Sequence, residues 1–364
     1  MTESFLNQSD SSSLSDSIGK QSIGKQSIGS SSHGSSRDSN QSLSPRQDLA
    51  KLLATRWLTR LLLLDKSAVE QVEWLAGKLA IATLILMAIG SATRVMNAGL
   101  ACPDWPLCYG TLLPTQQMDV QVFLEWFHRL DASFVGFGTI VLLGLCVGKR
   151  KQLPIWAPWM ALLSLSLVVL QGALGALTVT ELLRFDIVTA HLGTALLFFG
   201  ILLTFHLLLR PYQPVGSVGR LRWVGLTSVF LVYLQSLLGG VVASRWALHQ
   251  CLGGGELCLV MNSHIAGVIP ATLATLSLVI LAWRSPALST ALRRLATAAA
   301  IALVAQASLG ALALKLRLQI EPLTVTHQLV GATLLGILIA FTVLAWRDAT
   351  VSGPASTITS STAT

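Results

Sequence analysis

The sequence predicts an all-α membrane protein with eight transmembrane helices, arranged as two pseudo-symmetric four-helix bundles. The chain of 364 residues is 52% hydrophobic and only 12% charged, which is too apolar for a soluble domain of this length. Its apolar runs are about 20 residues long, the length that crosses a bilayer as a helix. The second half of the chain also repeats the pattern of the first. We predict spans at 74–95, 128–148, 155–178, 188–209, 223–243, 264–283, 295–315 and 326–346.

The distribution of lysine and arginine predicts the orientation of these spans. Fourteen of these residues flank the spans on the side of the N-terminus, and six lie on the other side. Because positive charge is retained on the cytoplasmic side, we expect both termini in the cytoplasm of a bacterial-type cell, with the chain integral to the cytoplasmic membrane and surrounded by lipid. This topology accounts for the net charge of +8, and no nucleic-acid partner is indicated.

Polar segments flank and divide the apolar chain. Residues 1–50 contain 17 serines and the repeat SIGKQSIGKQSIG, a composition typical of a disordered tail. This tail has no apolar run of the kind found in a signal peptide. Residues 51–73 include RWLTRLLLLD and are predicted to lie at the cytoplasmic interface. The remaining predicted units are an N-terminal half (74–210), a cytoplasmic linker (211–222), a C-terminal half (223–347) and a disordered C-terminal tail (348–364).

An internal repeat relates the helices to one another. The odd-numbered helices end alike, in LMAIGSATRV, LQGALGALTV, LQSLLGGVVA and AQASLGALAL, and each even-numbered helix is predicted to begin with a histidine. The separation of His128 from His191 is 63 residues, as is that of His264 from His327. The chain therefore consists of two related halves, each made of two helical hairpins.

The four repeated histidines are the candidate metal or haem ligands. All even helices start on the non-cytoplasmic side in the expected topology, so the imidazoles share one depth, and two per half can face each other across a bundle core. Neutral imidazole is a good axial ligand for haem iron. Zinc is less favoured because two histidines need further ligands, unless nearby acids join them. The ordinary alternative for any single histidine is a hydrogen-bonded interfacial residue.

Small residues near the ends of the odd helices permit close backbone approach or clear room for a flat ligand. The other histidines break the repeat and are interpreted as structural or solvated. The glycines are Gly172, Gly175, Gly239, Gly240 and Gly310, and the other histidines are His33, His206 and His249.

Four of the five cysteines form two pairs in predicted outer loops. Cys102 and Cys108 lie in ACPDWPLCYG, and Cys251 and Cys258 lie in CLGGGELC. Each pair precedes the first histidine helix of its half, on the oxidising side of the membrane, where disulfides are stable. A bridge would stiffen a lid above the histidines, or it is a plain loop disulfide without a redox role. Cys146 is expected to be a buried apolar residue.

An acid distinguishes the two halves. Glu125 precedes His128 by three residues, whereas Met261 stands at the equivalent place before His264. Residues three apart share a helix face, so a carboxylate and an imidazole are expected on one face in the first half only. The alternative is an acid that interacts with the helix dipole.

These features together resemble the haem A synthase family. The resemblance covers about residues 74–346 and rests on ExxH in EWFHR, the CPDWPLC loop, the second cysteine-paired loop and the four histidines. It implies oxidation of the C8 methyl of haem O to the formyl group of haem A, for haem-copper terminal oxidases. The implied route passes through an alcohol and a hydrated aldehyde, with oxygen from water.

The resemblance also implies a role for each motif residue. Glu125 corresponds to the catalytic acid, and His128 with His191 to the pair at the substrate-haem site. His264 and His327 correspond to the axial ligands of a haem b that transfers electrons. The first cysteine pair is implicated in activity or haem transfer. The serine-rich extension and the unequal spacing within the two cysteine pairs depart from the family pattern.

Three arginines near the outer surface, Arg94, Arg129 and Arg245, are candidates for binding haem propionates or for anchoring helices at lipid headgroups. Haem O synthase, an unidentified electron acceptor and further copies of the chain are candidate partners. The main alternative function is a non-catalytic cytochrome b with bis-histidine haems, which would not need Glu125. A transporter is disfavoured because no broken helices or mid-membrane charges are evident.

Overall fold

The computed structural model describes residues 66–214, 218–243, 256–316 and 319–351, with the backbone alone for 256–258 and 350–351. Within these ranges the chain forms eight long helices and no strand, and each helix is long and apolar enough to cross a membrane. The predicted fold class is confirmed. The helices are α1 (Ala68–Val95), α2 (Val120–Gly148), α3 (Ala157–Thr180), α4 (Phe185–Leu209), α5 (Leu221–Val242), α6 (Glu256–Arg284), α7 (Thr290–Lys315) and α8 (Glu321–Val351).

Several predictions fall on residues that the structure does not describe. They concern the serine-rich tail, the interfacial helix at 56–65, the tail beyond 351, and the residues His33, Arg245, His249 and Cys251, together with the side chain of Cys258. These remain predictions. The last helix continues to Val351, a few residues past the predicted end of the C-terminal half at 347.

Polar caps start several helices earlier than hydropathy predicted. The Ser67 hydroxyl accepts from the Glu70 N–H at 3.3 Å, and the Glu70 carboxylate accepts from the Ser67 N–H at 2.9 Å, forming a capping box before α1. The Asp119 carboxylate accepts from the Val122 N–H at 2.8 Å and starts α2. Because these caps satisfy the first amide groups, the helices extend beyond the apolar run itself.

Each half forms a closed ring of four helices. In the first half, neighbouring helices from α1 to α4 pack in sequence and α4 returns against α1. The same arrangement joins α5 to α8 in the second half. The halves meet where α4 packs against α5 and α8, and where α8 also packs against α1. The second histidine helix of each half is therefore central, whereas the first one, α2 or α6, lies at the periphery.

The centre of the molecule is the crossing of α4 and α8. Phe198 and Phe205 on α4 and Leu338 on α8 are almost completely buried. At this crossing Gly336 lies directly against the ring of Phe199, where a Cβ atom would be 2.9 Å from Cζ. The outer surfaces are apolar instead of polar, with many exposed aromatic and aliphatic side chains, as expected for helices that face lipid.

We expect Gly336→Ala to destabilise the protein by about 1–3 kcal/mol, because the added methyl group overpacks the contact with Phe199. Gly136→Ala is the matched control, since a Cβ atom there meets nothing within 4 Å and alanine favours a helix by up to about 1 kcal/mol. Thermal unfolding in detergent measures both variants. Equal stability of the two would contradict the proposed close crossing.

Candidate functional site

The four repeated histidines lie inside the even helices and not at their first residues. His128 and His264 each follow the first residue of their helix, Val120 or Glu256, by eight positions. His191 and His327 each follow theirs by six positions, from Phe185 and Glu321. The prediction that histidines open these helices was therefore wrong by about two turns, because each helix begins before the apolar run that hydropathy detects; for α2 the start is set by the Asp119 cap. The repeat itself is preserved, since corresponding helices have corresponding offsets.

Each imidazole packs against a glycine on the preceding odd helix. A Cβ atom at Gly90 would lie 2.7 Å from Cε1 of His128, and one at Gly310 would lie 2.8 Å from Cε1 of His327. The corresponding distances are 3.0 Å from Gly239 to His264 and 3.5 Å from Gly175 to His191. At Gly90, Gly239 and Gly310 the ring therefore occupies the space that a side chain on the odd helix would fill, whereas at Gly175 a Cβ atom would be in ordinary van der Waals contact with the ring. We call these four residues, Gly90, Gly175, Gly239 and Gly310, the seat glycines.

The seat glycines include three of the five small residues singled out in the sequence. Of the other two, Gly172 faces open space, and Gly240 lies against Leu192 on α4. Gly90 was missed, although it stands in the quoted motif LMAIGSATRV. Aligning the four motifs by their seat glycines would have identified it, but only the histidine contacts show that this alignment is the correct one.

The imidazoles are grouped as one couple in each half. His128 lies close enough to His191 for a charge on one ring to affect the other, and the same holds for His327 and His264. Nδ1 of His128, His191 and His327 is buried without a hydrogen-bond partner. Each half thus places two imidazoles near each other in an apolar bundle, with ring nitrogens that the protein does not fully use.

The donor set favours haem over a bare metal ion. Among the described residues, no group of three or more His, Cys, Asp or Glu side chains is arranged to hold a metal ion. A zinc ion needs about four protein donors or waters, whereas a porphyrin provides its own equatorial nitrogens and needs only one or two axial ligands. The two imidazoles of the first half, each with an unpartnered Nδ1, fit the second requirement, and so does His327 in the second half.

A contact between the halves connects the two histidine couples. The Ser91 hydroxyl, next to the seat glycine Gly90, donates to Oε1 of Gln328 at 3.0 Å, and Gln328 follows His327 in the chain. Nη2 of Arg94 donates to the same oxygen at 3.2 Å. The related contact on the other side joins Gly240 to Leu192. In both cases the residue after a seat glycine meets the residue after a histidine of the other half.

Glu125 is buried beside the outer loop between α1 and α2. Glu125 is only 3% exposed, and its Oε2 accepts a hydrogen bond from the Cys102 N–H at 2.8 Å. Oε1 forms an ion pair of 2.6 Å with Nη2 of Arg129, one turn further along α2. The carboxylate therefore holds the loop as well as lying one turn from His128.

Arg129 binds the same loop through its guanidinium. Nη1 donates to the carbonyl oxygens of Asp104 and Leu107, each at 2.6 Å, and Nη2 donates to the carbonyl of Cys102 at 3.4 Å. These bonds, with the Glu125 ion pair, use the fork geometry of arginine. The assignment of Arg129 to haem propionates stays a prediction, because in the structure its guanidinium is bonded to the loop.

The loop is itself closed and internally bonded. Cys102 and Cys108 form the predicted disulfide, and both residues are buried. The Asp104 carboxylate accepts from the Gly110 and Tyr109 N–H groups at 2.8 and 2.6 Å. These hydrogen bonds, with the charge of Arg129, hold the pKa of Asp104 below its ordinary value of 3.8.

His206 lies near the other end of α4, away from the histidine couples. Its Nδ1 is 3.1 Å from the Glu73 carboxylate, and it packs against Gly77. The interpretation of His206 as structural agrees with these contacts, which join α4 to α1. Cys146 is free and buried, as predicted.

The fold and site define a polytopic α-helical membrane protein with a histidine couple in each of two related halves. A family model described as cytochrome oxidase assembly protein matches residues 73–339. The match covers most of the chain, and the chain belongs to this family.

Individual relatives are named heme A synthase. The protein of Shewanella oneidensis is 33% identical over 200 residues, which are 50% of this chain and 59% of the relative. That of an Exiguobacterium species is 26% identical over 192 residues, 50% of this chain and 62% of the relative. That of Caulobacter vibrioides is 29% identical over 318 residues, 72% of this chain and 91% of the relative. The chain thus spans about three fifths of the length of the first two relatives.

Replacing Arg129 should open the outer loop. In Arg129→Lys a point charge replaces a planar fork and cannot reach all of its partners. Charge-assisted hydrogen bonds of this kind are worth roughly 1.5–3 kcal/mol, so we expect Cys102 and Cys108 to be reduced and labelled by a maleimide at least about tenfold faster. Arg184→Lys, in an exposed ion pair, is the control. Unchanged labelling rates in Arg129→Lys would show that the loop does not depend on this side chain.

Proposed function

We propose that the chain is a haem A synthase, an oxidoreductase that converts the C8 methyl of haem O into the formyl group of haem A. The supporting observation is Glu125: a buried carboxylate one turn before His128, in a half whose counterpart has Met261 at that position. Family membership and the names of the relatives support the same assignment. Haem A would serve haem-copper terminal oxidases.

In this proposal the two halves hold different haems. His128 and His191, in residues 74–210, would hold the substrate haem O and the product haem A. His264 and His327, in residues 223–347, would hold a resident haem b. When bound, haem b would accept electrons and pass them on.

Glu125 would act on the reacting methyl carbon. Loss of electrons and a proton from the methyl group leaves positive charge on that carbon, and a fixed carboxylate in a water-poor site stabilises it. The same carboxylate would then position a water molecule and accept its proton as the carbon–oxygen bond forms. The bonds from the Cys102 N–H and Arg129 keep the carboxylate in one orientation, which favours this role. The electrons would leave through the second half to an acceptor of unknown identity.

The contact between Ser91 and Gln328 supports electron transfer between the halves. Gly90 contacts the ring of His128, and the next residue, Ser91, donates a hydrogen bond to Gln328, the residue after His327. Covalent bonds and one hydrogen bond therefore connect the surroundings of the two couples. Arg94, which takes part in the same contact, is proposed to bind a haem propionate, and Arg245 is proposed for the same role from the sequence alone.

The proposed topology has both termini in the cytoplasm and the histidine couples near the outer surface. Haem O synthase is proposed as the partner that delivers the substrate, and self-association is proposed as well. A second candidate function, a non-catalytic cytochrome b, is favoured by the similarity of the two histidine couples, each of which rests on seat glycines.

Replacing Glu125 separates these functions. Glu125→Gln keeps an acceptor oxygen for the loop but removes the charge and the base, so we expect haem content to persist and haem A formation to fall by about 100-fold or more. Pigments extracted from the purified protein and separated by chromatography give both values. Glu181→Gln, in an exposed ion pair, is the control. Haem A formation at the wild-type level in Glu125→Gln would refute the proposed mechanism, and a wild-type protein that forms none would favour the carrier.

Histidine replacements should remove different pigments. Because an axial ligand is needed on each haem, we expect His327→Ala to lose haem b while retaining haem O, and His191→Ala to do the reverse. The measurement is the pigment composition of each purified variant. His206→Ala should retain both pigments, since this residue contacts Glu73 instead of a couple. Loss of the same pigment in His327→Ala and His191→Ala would contradict the division between the halves.

A further inference from the structure

The two contacts between the halves differ, although the repeat relates them. The contact of α1 with α8 corresponds to that of α5 with α4, so that Ser91 corresponds to Gly240 and Gln328 to Leu192. The first contact is joined by hydrogen bonds from Ser91 and Arg94 to Gln328. At the second contact those positions carry no polar side chain, and an open cleft of about 470 Å³ lies between α4 and α5. The repeat does not require this cleft, so we examine what it can bind.

The cleft adjoins one histidine site of each half. Its α4 wall includes Thr194, three positions after His191. Its α5 wall includes Leu237, two positions before Gly239, the seat glycine that contacts the His264 ring. Because the rate of electron transfer falls steeply with distance, a redox-active molecule in this cleft would lie where electrons from either couple can reach it.

The walls of the cleft suit a lipid-soluble ligand. Phe185 at its edge is 47% exposed on an apolar outer surface, so a ligand would enter from the membrane. The carboxylate of Asp186, also at the edge, is paired with Arg184 at 2.8 Å. Apolar side chains such as Leu237 form much of the remaining wall. Small-molecule sites are typically apolar clefts of roughly 300–1,000 Å³ with a few polar groups, which describes this cleft.

Two hydroxyl groups supply the polar contacts. The Tyr233 hydroxyl on α5 donates to the Gly193 carbonyl at 3.3 Å, which is long for a hydroxyl donor. The Thr194 hydroxyl on α4 forms no hydrogen bond within the part of the chain that the structure describes. By contrast, the nearby Thr189 hydroxyl donates to the Phe185 carbonyl at 2.7 Å. The cleft therefore offers one weakly bonded and one unused hydroxyl, on different helices.

We propose that the cleft between α4 and α5 binds a lipid-soluble quinone, with the hydroxyls of Tyr233 and Thr194 donating to its carbonyl oxygens. A quinone has two carbonyl acceptors on a flat ring and an apolar tail that can extend into lipid. A phospholipid acyl chain has no acceptor, and it would leave both hydroxyls without a partner while shielding them from water, which costs free energy.

The quinone is the electron acceptor of the reaction. This step rests on the proposed function, whereas quinone binding does not. Each of the two oxidations breaks a C–H bond of the substrate carbon, forms a C–O bond to oxygen from water, and releases two electrons and two protons. One quinone takes up both electrons and both protons and leaves as a quinol. Two quinones are therefore reduced for each formyl group, which forms when the hydrated aldehyde loses water.

Photolabelling of the purified full-length protein tests the site. The probe is an azido derivative of ubiquinone, and labelled peptides are identified by mass spectrometry. We expect label within 185–194 and 233–241, displaced by decylubiquinone and not by phosphatidylglycerol. Label confined to other segments, or label that phosphatidylglycerol displaces equally well, would overturn the proposal, the second result by showing an ordinary lipid groove.

Removal of either hydroxyl should weaken binding. Thr194→Val and Tyr233→Phe each delete one donor with little change in volume, so the decylubiquinone concentration that halves labelling should rise about two- to tenfold. Thr227→Val is the control on α5, because its hydroxyl is bonded to the Trp223 carbonyl outside the cleft. Thr194→Val still tests the proposal if Tyr233→Phe does not fold. Wild-type affinity in both variants would contradict the assigned hydroxyls.

Reoxidation of the reduced holoprotein, followed by the visible spectrum, tests the role as acceptor. At low decylubiquinone concentration the Thr194→Val and Tyr233→Phe proteins should react about two- to tenfold more slowly than the wild type. Ferricyanide, which does not need the cleft, should oxidise all of them at one rate. Haem A formation with ferricyanide but no specific quinone binding would overturn this inference and leave the proposed function intact. Specific quinone binding in a protein that forms no haem A would support the site and refute the proposed function.

Discussion

The arrangement of this protein depends on bringing an imidazole against the backbone of a neighbouring helix inside an apolar bundle. Burying a histidine in a membrane span costs free energy, so such residues usually face the interior of a helix bundle and interact with another group there. Glycine on the odd helix provides the place, because any side chain there would occupy the space of the ring. A contact between a histidine ring and a glycine occurs at each of the four hairpins, and it is tight at Gly90, Gly239 and Gly310; one local contact, repeated with the chain, therefore produces two couples in one molecule.

Packing between the halves follows from the same contacts. The second histidine helix of each half is central and touches the other half, whereas the first lies at the periphery. The residue after a seat glycine therefore meets the residue after a central histidine, as Ser91 meets Gln328 and Gly240 meets Leu192. The two central histidine helices, α4 and α8, also cross closely, with Gly336 of α8 against Phe199 of α4.

The first half adds an acid that is bonded to a closed loop. Glu125 and Arg129 lie one turn apart on α2 and bind the segment between Cys102 and Leu107. The loop covers these side chains and keeps them from water, so their mutual attraction is stronger than at a surface. The acid that distinguishes the two halves is therefore also the group that joins the outer loop to the bundle.

Some of this was available from the sequence because lipid imposes simple requirements. Runs of about 20 apolar residues must be helices in a bilayer, and the 63-residue spacing of the histidines indicates two related halves. The eight spans, the repeat and the first disulfide could therefore be predicted without coordinates, as could the presence of an acid before the first histidine of one half only. Only the tertiary structure decided which glycines carry the histidines, where α2 begins, and that Arg129 binds the loop. These depend on helix rotation and on capping by single polar groups such as Asp119, which hydropathy does not record because it sums over a whole span.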